Sequence, residues 1–162
     1  MFIASNELEN FSYEDCVIRD FRVSDDGIDI VVEALIVLPN NSQNKNFTKS
    51  YAGTAEIFFS DASVEKGVKE GCRHFDADDN LIEEVPDLLL TSQELENLLE
   101  KLGDTYLYDL KQERDTDGLY AVLGIEFTTD DITGIDADSY QIKVRYRDVT
   151  VSWERYMNRV ES

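Results

Sequence analysis

Cysteine, histidine and proline are scarce in this chain, and each shortage removes a class of protein. The two cysteines, Cys16 and Cys72, are too few for a disulfide scaffold and are not spaced as a metal-binding pair. The one histidine, His74, excludes a His-rich zinc site and leaves a single candidate for a histidine base. It stands between Arg73 and Phe75 with no nucleophile motif around it, so it reads as an ordinary strand residue. The eight glycines are scattered across turns, which excludes a Gly-rich phosphate loop. No apolar run approaches the roughly 18 residues of a membrane span. The first residues, Met1 to Glu7, lack the basic and apolar regions of a signal peptide. A cytoplasmic protein with reduced thiols and no cofactor is expected.

Basic residues are the other shortage. Fifteen Lys and Arg face thirty-five Asp and Glu, a net charge of −20. The apolar residues nevertheless fall into periodic runs, which argues against disorder, since that needs low hydrophobicity as well as high charge. Such acidity disfavours nucleic acid and anionic membranes and favours a basic partner. The charge is uneven. Residues 140–162 hold five basic and three acidic residues, so the rest of the chain carries −22. From Ala34 to Ala55 there is no acidic residue at all.

What is plentiful is strand signal. Cys16–Val23 and Ile28–Val37 are rich in β-branched residues and flank the turn Ser24-Asp25-Asp26-Gly27, a strong hairpin pattern. A longer loop places Val23 opposite Ile28, Phe21 opposite Ile30 and Arg22 opposite Asp29. A two-residue loop would set Asp20 against Glu33, two like charges. The inward face is then Val17, Phe21, Val23, Ile28, Ile30, Val32, Ala34 and Ile36. A second hairpin turns at Asp115-Thr116-Asp117-Gly118 and sends Tyr106, Tyr108, Leu110 and Gln112 to one face with Ala121, Leu123, Ile125 and Phe127. Tyr140, Ile142, Val144 and Tyr146 alternate with Gln141, Lys143 and Arg145 in a further strand. The phase shifts at Arg147-Asp148, as at a bulge.

Tyr51–Ser60 reads as a strand, and Cys72–Val85 as an extended pair turning at Asp76–Asn80. Residues 61–70 read as a short helix stopped by Gly71. The clearest helix is Ser92–Leu102: Thr91 caps it, Glu94 completes the capping box, and Leu95, Leu98, Leu99 and Leu102 form one stripe before Gly103. Trp153, Tyr156, Met157 and Val160 have helical spacing and predict a short C-terminal helix.

Few residues could carry chemistry. Asp76, Asp78 and Asn80 offer oxygens at positions 1, 3 and 5 of a calcium loop. The match then fails at Leu81, where the loop wants Gly, and at Asp87, where it wants a bidentate Glu. Turn chemistry alone explains such a tip. Residues 130–138 form a second acidic loop with poorer spacing. Lys143, Arg145 and Arg147 form a basic stripe, readable as an anion site or as partners of acidic neighbours, and the composition favours pairing. The polar connection 39–50 is long enough to be functional, with Asn40, Asn44, Asn46 and Phe47 as candidate contacts. Tyr106, Tyr108, Tyr140 and Tyr146 either line a cavity or fill the core.

These readings predict an α+β single domain over residues 1–162. Its sheet is mostly antiparallel and twisted, of about six to eight strands. A helix at 92–102 packs on one face, and a short helix ends the chain. They point to a non-catalytic binding protein for a basic protein partner, such as an inhibitor or an immunity-type antidote that occludes a cationic site. The alternative is a small-molecule-binding domain with an aromatic cavity, and an enzyme ranks third. If the Asp76–Asn80 tip is only a turn, millimolar calcium shifts the melting temperature no more than magnesium does. A calcium-selective rise abolished by Asp78→Ala contradicts the turn, because a ligand specific to the folded state stabilises it by mass action.

Overall fold

The computed structural model of the chain describes residues 1–127 and 138–159. In chain order its strands begin with β1 (Phe2–Ser5), β2 (Phe11–Ser12), β3 (Val17–Ser24), β4 (Gly27–Glu33), β5 (Ile36–Val37), β6 (Ser50–Ala52), β7 (Ala55–Ser60) and β8 (Ser63–Lys69). They continue with β9 (Cys72–Phe75), β10 (Leu81–Val85), β11 (Leu88–Leu89), β12 (Thr105–Asp115), β13 (Gly118–Glu126), β14 (Ser139–Arg145), β15 (Asp148–Trp153) and β16 (Tyr156–Arg159). One α-helix among the described residues, α1 (Ser92–Leu99), follows β11. All pairings are antiparallel. They build a ten-stranded sheet in the order β1-β15-β7-β4-β3-β12-β13-β14-β8-β11, a four-stranded sheet β16-β6-β5-β2, and the isolated pair β10-β9.

The first hairpin keeps the longer-loop register, with Val23 opposite Ile28, Phe21 opposite Ile30 and Arg22 opposite Asp29. Between Ile18 and Asp20 the register then shifts, so Ile18 rather than Arg19 faces Val32. Beyond that one-residue bulge the inward parity flips, so Ile18 is fully buried and Val17 only partly so; Val23, on the turn side of the bulge, is exposed although Ile28 opposite it is buried. The second hairpin repeats the device. Its register shifts between Leu107 and Asp109, which turns Leu107 inward and leaves Tyr106 and Tyr108 exposed, the reverse of the simple alternation. Beyond the two bulges β3 and β12 meet at Ile18–Thr105 and Val17–Tyr106.

A shared corner completes the large sheet. β7 continues into β8 and β14 into β15, and the two segments stay paired on both sides of the bend, at Arg145–Ser63 and Asp148–Ser60. Asp61 takes a left-handed conformation there (φ 47°), and Arg147 donates its N–H to the Ser60 carbonyl at 3.0 Å. The pairings therefore return on themselves from β7 through β4, β3, β12, β13 and β14 to β8. Inside the bend Tyr146 packs edge-on against Phe59 at 4.9 Å and donates its hydroxyl to Gln112. The small sheet lies against β1 and β15 through Phe2, Phe11, Trp153 and Tyr156, whose ring centroids lie 4.9–5.8 Å apart.

The α+β expectation is overturned, because strands make up 58% of the structure and helix 7%. Sixteen strands among the described residues replace the six to eight expected, many of only two to four residues. Residues 63–69 are strand β8, not a helix. Val64 and Val68 are β-branched and Gly67 is a poor helix former, and as a strand Gly67 lets α1 come close: a Cβ there would stand 2.8 Å from Leu95 Cδ1. The C-terminal helix is also absent. Val149, Val151 and Trp153 alternate as buried strand positions of β15, and Tyr156 opens β16 opposite Ala52; Val160 lies outside the described residues. The helix α1 does form, with the capping box in place: Thr91 Oγ1 accepts from Glu94 N and Glu94 Oε1 from Thr91 N. It stops at Leu99, and Asp104 rather than Gly103 takes the left-handed conformation.

The bulge in β12 is testable. Leu107→Ala is expected to destabilise by about 2–5 kcal/mol and Tyr106→Ala by under about 1 kcal/mol in equilibrium urea unfolding. The opposite ranking would restore the unbulged register.

Candidate interaction surface

β9 and β10 are the distal half of a long hairpin whose proximal half, β8 and β11, belongs to the large sheet. The hairpin leaves the sheet at Gly71 on one side and Pro86-Asp87 on the other. Gly71 is required there because a Cβ would collide with the Val85 carbonyl, and its N–H donates to Asp87 Oδ1 at 2.7 Å. Among the described residues no strand pairs with the outer edge of β9 or β10. Every residue of the two strands is exposed.

At the tip Asp76 does the work of a turn. Its Oδ1 accepts from Asp78 N and Asn80 N, each at 2.9 Å, and Asn80 Nδ2 reaches its Oδ2 at 3.4 Å. The hydrogen bond from Asn80 N does most to hold the Asp76 carboxyl below its ordinary range. Asp79 is left-handed (φ 62°). Asp76 and Asn80 are thus engaged with one another, while Asp78 contributes its backbone. Among the described residues no three metal-ligating side chains gather into a site.

Along the arm the register puts Phe75 opposite Leu81 and Arg73 opposite Glu84 on one face, and His74 opposite Glu83 and Cys72 opposite Val85 on the other; Ile82 is the bulged residue. Arg73 Nε meets Glu84 Oε1 at 3.0 Å, and Cys72 Sγ lies 3.3 Å from His74 Nε2. Among the described residues six of the thirteen exposed large apolar side chains fall between Phe75 and Leu89, four of them on β9 and β10 and two on β11 at the arm's base, with Ile82 67% exposed. That density singles out the arm, because soluble surfaces seldom gather apolar side chains without a partner. The alternation of the sequence marks these strands but is silent on what covers them. The available signal was charge: Asp76–Glu100 holds nine carboxylates and no Lys or Arg.

The other expected positions are placed as follows. In the loop between β5 and β6, Asn44 is buried and its Nδ2 reaches the carbonyls of Val37, Leu38 and Thr48 at 2.9–3.1 Å. Its Oδ1 accepts from Asn46 N at 2.9 Å, and Asn41 makes the same kind of turn with Gln43 N at 3.0 Å. Asn44 is therefore the loop's internal brace, whereas Asn40, Asn46 and Phe47 face outward. Phe47 is 90% exposed in a left-handed conformation. The basic stripe does not stand free. Arg145 forks onto Asp115 and Glu65 at 2.7 Å each, and Lys143 Nζ lies 3.2 Å from Glu65 and 4.3 Å from the Tyr120 ring centroid. Arg145, more than Lys143, holds the Glu65 and Asp115 carboxyls below their ordinary range. Arg147 is exposed, with Asp61 at 3.7 Å. The second acidic loop lies outside the described residues except Asp138, which is 3.6 Å from Lys69.

The four tyrosines disperse. Tyr146 is in the core, Tyr140 packs edge-on against Phe127, Tyr108 donates to Glu70 at 2.6 Å, and Tyr106 is exposed. An open cleft of about 560 Å³ lies between Ala34, Tyr51, Gly53, Thr54, Arg155 and Met157, with Tyr51 its one aromatic. Burial pushes the Cys16 thiol up to about 12, which leaves it no thiolate character at neutral pH. Comparison with protein-family models, curated proteins and solved structures finds no match.

One acid pair has a measurable consequence. On the outer face of β4 and β7, burial, then the hydrogen bond with Glu56 and its like charge, push the Asp29 carboxyl up to about 6; Arg22 opposes and Asp20 adds to the shift. The folded value exceeds the unfolded one of about 3.9, so the folded state binds the extra proton. The pair's stabilising contribution is complete below about pH 4 and is lost as pH rises through about 6. Asp29→Asn is expected to raise the melting temperature at pH 7.5 and to give no gain at pH 4. A pH-independent difference would show that Asp29 and Glu56 do not share a proton.

Proposed function

We propose that this chain is a non-catalytic acidic binding protein that covers a basic surface of a protein partner, as an inhibitor or an immunity-type antidote does. The observation that carries this reading is the arm, where four exposed apolar side chains, Phe75, Leu81, Ile82 and Val85, sit among six carboxylates with Arg73 the one Lys or Arg between Gly71 and Asp87. Apolar contact supplies affinity at the centre of an interface, and opposite charge around it supplies steering and selectivity. The rest of the charge distribution supports it. Arg19, Arg22, Lys69, Arg73, Lys111, Lys143, Arg145 and Arg147 all lie within 4.0 Å of carboxylates of the same chain. The internal pairing of these cations leaves the acidic excess facing outward. The loop from Asn40 to Lys49 offers acid-free contacts at Asn40, Asn46 and Phe47. The small-molecule alternative gains no support from four tyrosines that go to different places.

The test is association with a basic protein encoded beside this chain, against unrelated basic proteins of similar charge. Steering should weaken with salt through the on-rate as the Debye length shrinks. The expected result is that the neighbour still binds at roughly 0.15 M ionic strength while the decoys fall away, because a complementary apolar centre survives screening. Equal binding of all, or of none at that ionic strength, removes the reading.

A further inference from the structure

We propose that the arm, residues 71–87, enters a cationic cleft of the partner rather than lying on a flat face of it, and so competes with the polyanion that such a cleft holds. The inference rests on the basic-partner reading above. Its own ground is the geometry of the arm. Phe75 and Leu81 project from one face, Val85 and Cys72 from the other, and Ile82 stands out at the bulge. A flat partner covers one face and leaves the other in water; a cleft covers both, together with the outer edges. An isolated two-stranded hairpin is marginal in water, and this one packs neither face on the body. Charge selects the occupant. Asp78 and Asp79 lead at the tip, and Glu83 and Asp87 follow, with only Arg73 and His74 beside them on β9. Those carboxylates would reach the floor of the cleft before the apolar side chains meet its walls. A second copy of this chain is disfavoured as occupant, because it brings the same acidic run. A cleft lined by Lys and Arg is the complement, and such clefts hold phosphate-rich chains.

The experiment uses the full chain and the basic neighbour loaded with fluorescein-labelled oligothymidylate. Addition of the chain is expected to release the oligonucleotide, read as a fall in anisotropy. Asp78→Asn with Asp79→Asn should weaken release by about tenfold or more, and Ile82→Ser should do so separately, as central interface residues do. Unchanged urea midpoints for these variants would show that the body is intact. If the neighbour binds the chain and keeps its oligonucleotide, or if the variants release it as well as the parent does, arm insertion is wrong and the basic-partner reading stands. If no binding occurs at roughly 0.15 M salt, both fall. A second measurement needs no partner: hydrogen exchange in the free chain. Arm amides from Cys72 to Val85 are expected to exchange far faster than those of β4 and β7 at every protein concentration. Protection that grows with concentration means that a second copy covers the arm, and overturns the proposal.

Discussion

Two segments, Ala55–Lys69 and Ser139–Trp153, run side by side through one corner, and the closure of the large sheet depends on their staying paired around it. Without that corner, β4-β3-β12-β13 would be an open ribbon with two long edges. With it, β14 finds β8 just where β8 leaves β7, and the inward residues of both halves face one another. The corner is held on the inside by Tyr146 against Phe59 and on the outside by backbone and serine hydrogen bonds. Ser60 Oγ both donates to the Asp148 carbonyl and accepts from Asp148 N, at 3.2 Å each. The bulges in β3 and β12 serve the same end from the opposite side. A bulge increases local twist and bends the strand, and the two half-sheets join immediately beyond both of them. Three separate irregularities thus cooperate in one closure.

The electrostatics follow from the same geometry. A third register shift in the large sheet, between Lys143 and Val144 where β14 pairs with β8, occurs beside Glu65. Glu65 is held against Arg145 and Lys143, while Asp115 at the second hairpin's turn reaches them from the other side. Exposed ion pairs contribute little singly, but bidentate geometry and shared partners make such a network worth more. Lys143 and Arg145 are therefore spent on joining the second hairpin to β8 and β14. A chain of −20 that uses its cations in this way presents carboxylates to everything else.

Several elements were legible from residues alone. Both Asp-Gly turns, the Thr91–Glu94 capping box and the alternation from Tyr140 to Tyr146 are local patterns with local causes, and the structure contains each. The bulges were not legible, because one extra residue changes register without changing composition, and Ile18 and Leu107 look no more inward than their neighbours. The C-terminal misreading has a physical source as well. Trp153, Tyr156 and Met157 satisfy a helical spacing, but Val149, Val151 and Trp153 satisfy a period of two against β7 and β1, and the pairing decides. Strands of two residues, such as β2, β5 and β11, exist only through their neighbours. The candidate site was half legible. The acidic excess was plain, and so was the tip of the Asp76–Asn80 turn, but exposure of the arm is a property of what the rest of the chain fails to cover.

The Asn-rich loop and the arm differ in a way that bears on which is the better candidate for the proposed contact. The Asn-rich loop is satisfied within the molecule: Asn44 Nδ2 donates to the Val37 and Thr48 carbonyls and Asn41 Nδ2 to the Asn10 carbonyl, so its shape needs nothing from another chain. Its exposed apolar group is the Phe47 ring. The arm is the opposite case. Its turn is closed by Asp76, yet its edges, both its faces and the side chains of Asp78, Asp79 and Glu83 lack partners among the described residues. Burying a large aliphatic side chain is worth about 1.5–3 kcal/mol, so several exposed ones in a single hairpin leave a large stabilisation unrealised in the free protein. The core formed by β4, β7, β12, β13, β14 and β15 does not depend on those side chains. A core built without the arm's side chains leaves those residues free to be set by what they contact, and that separation is what the proposed binding role requires.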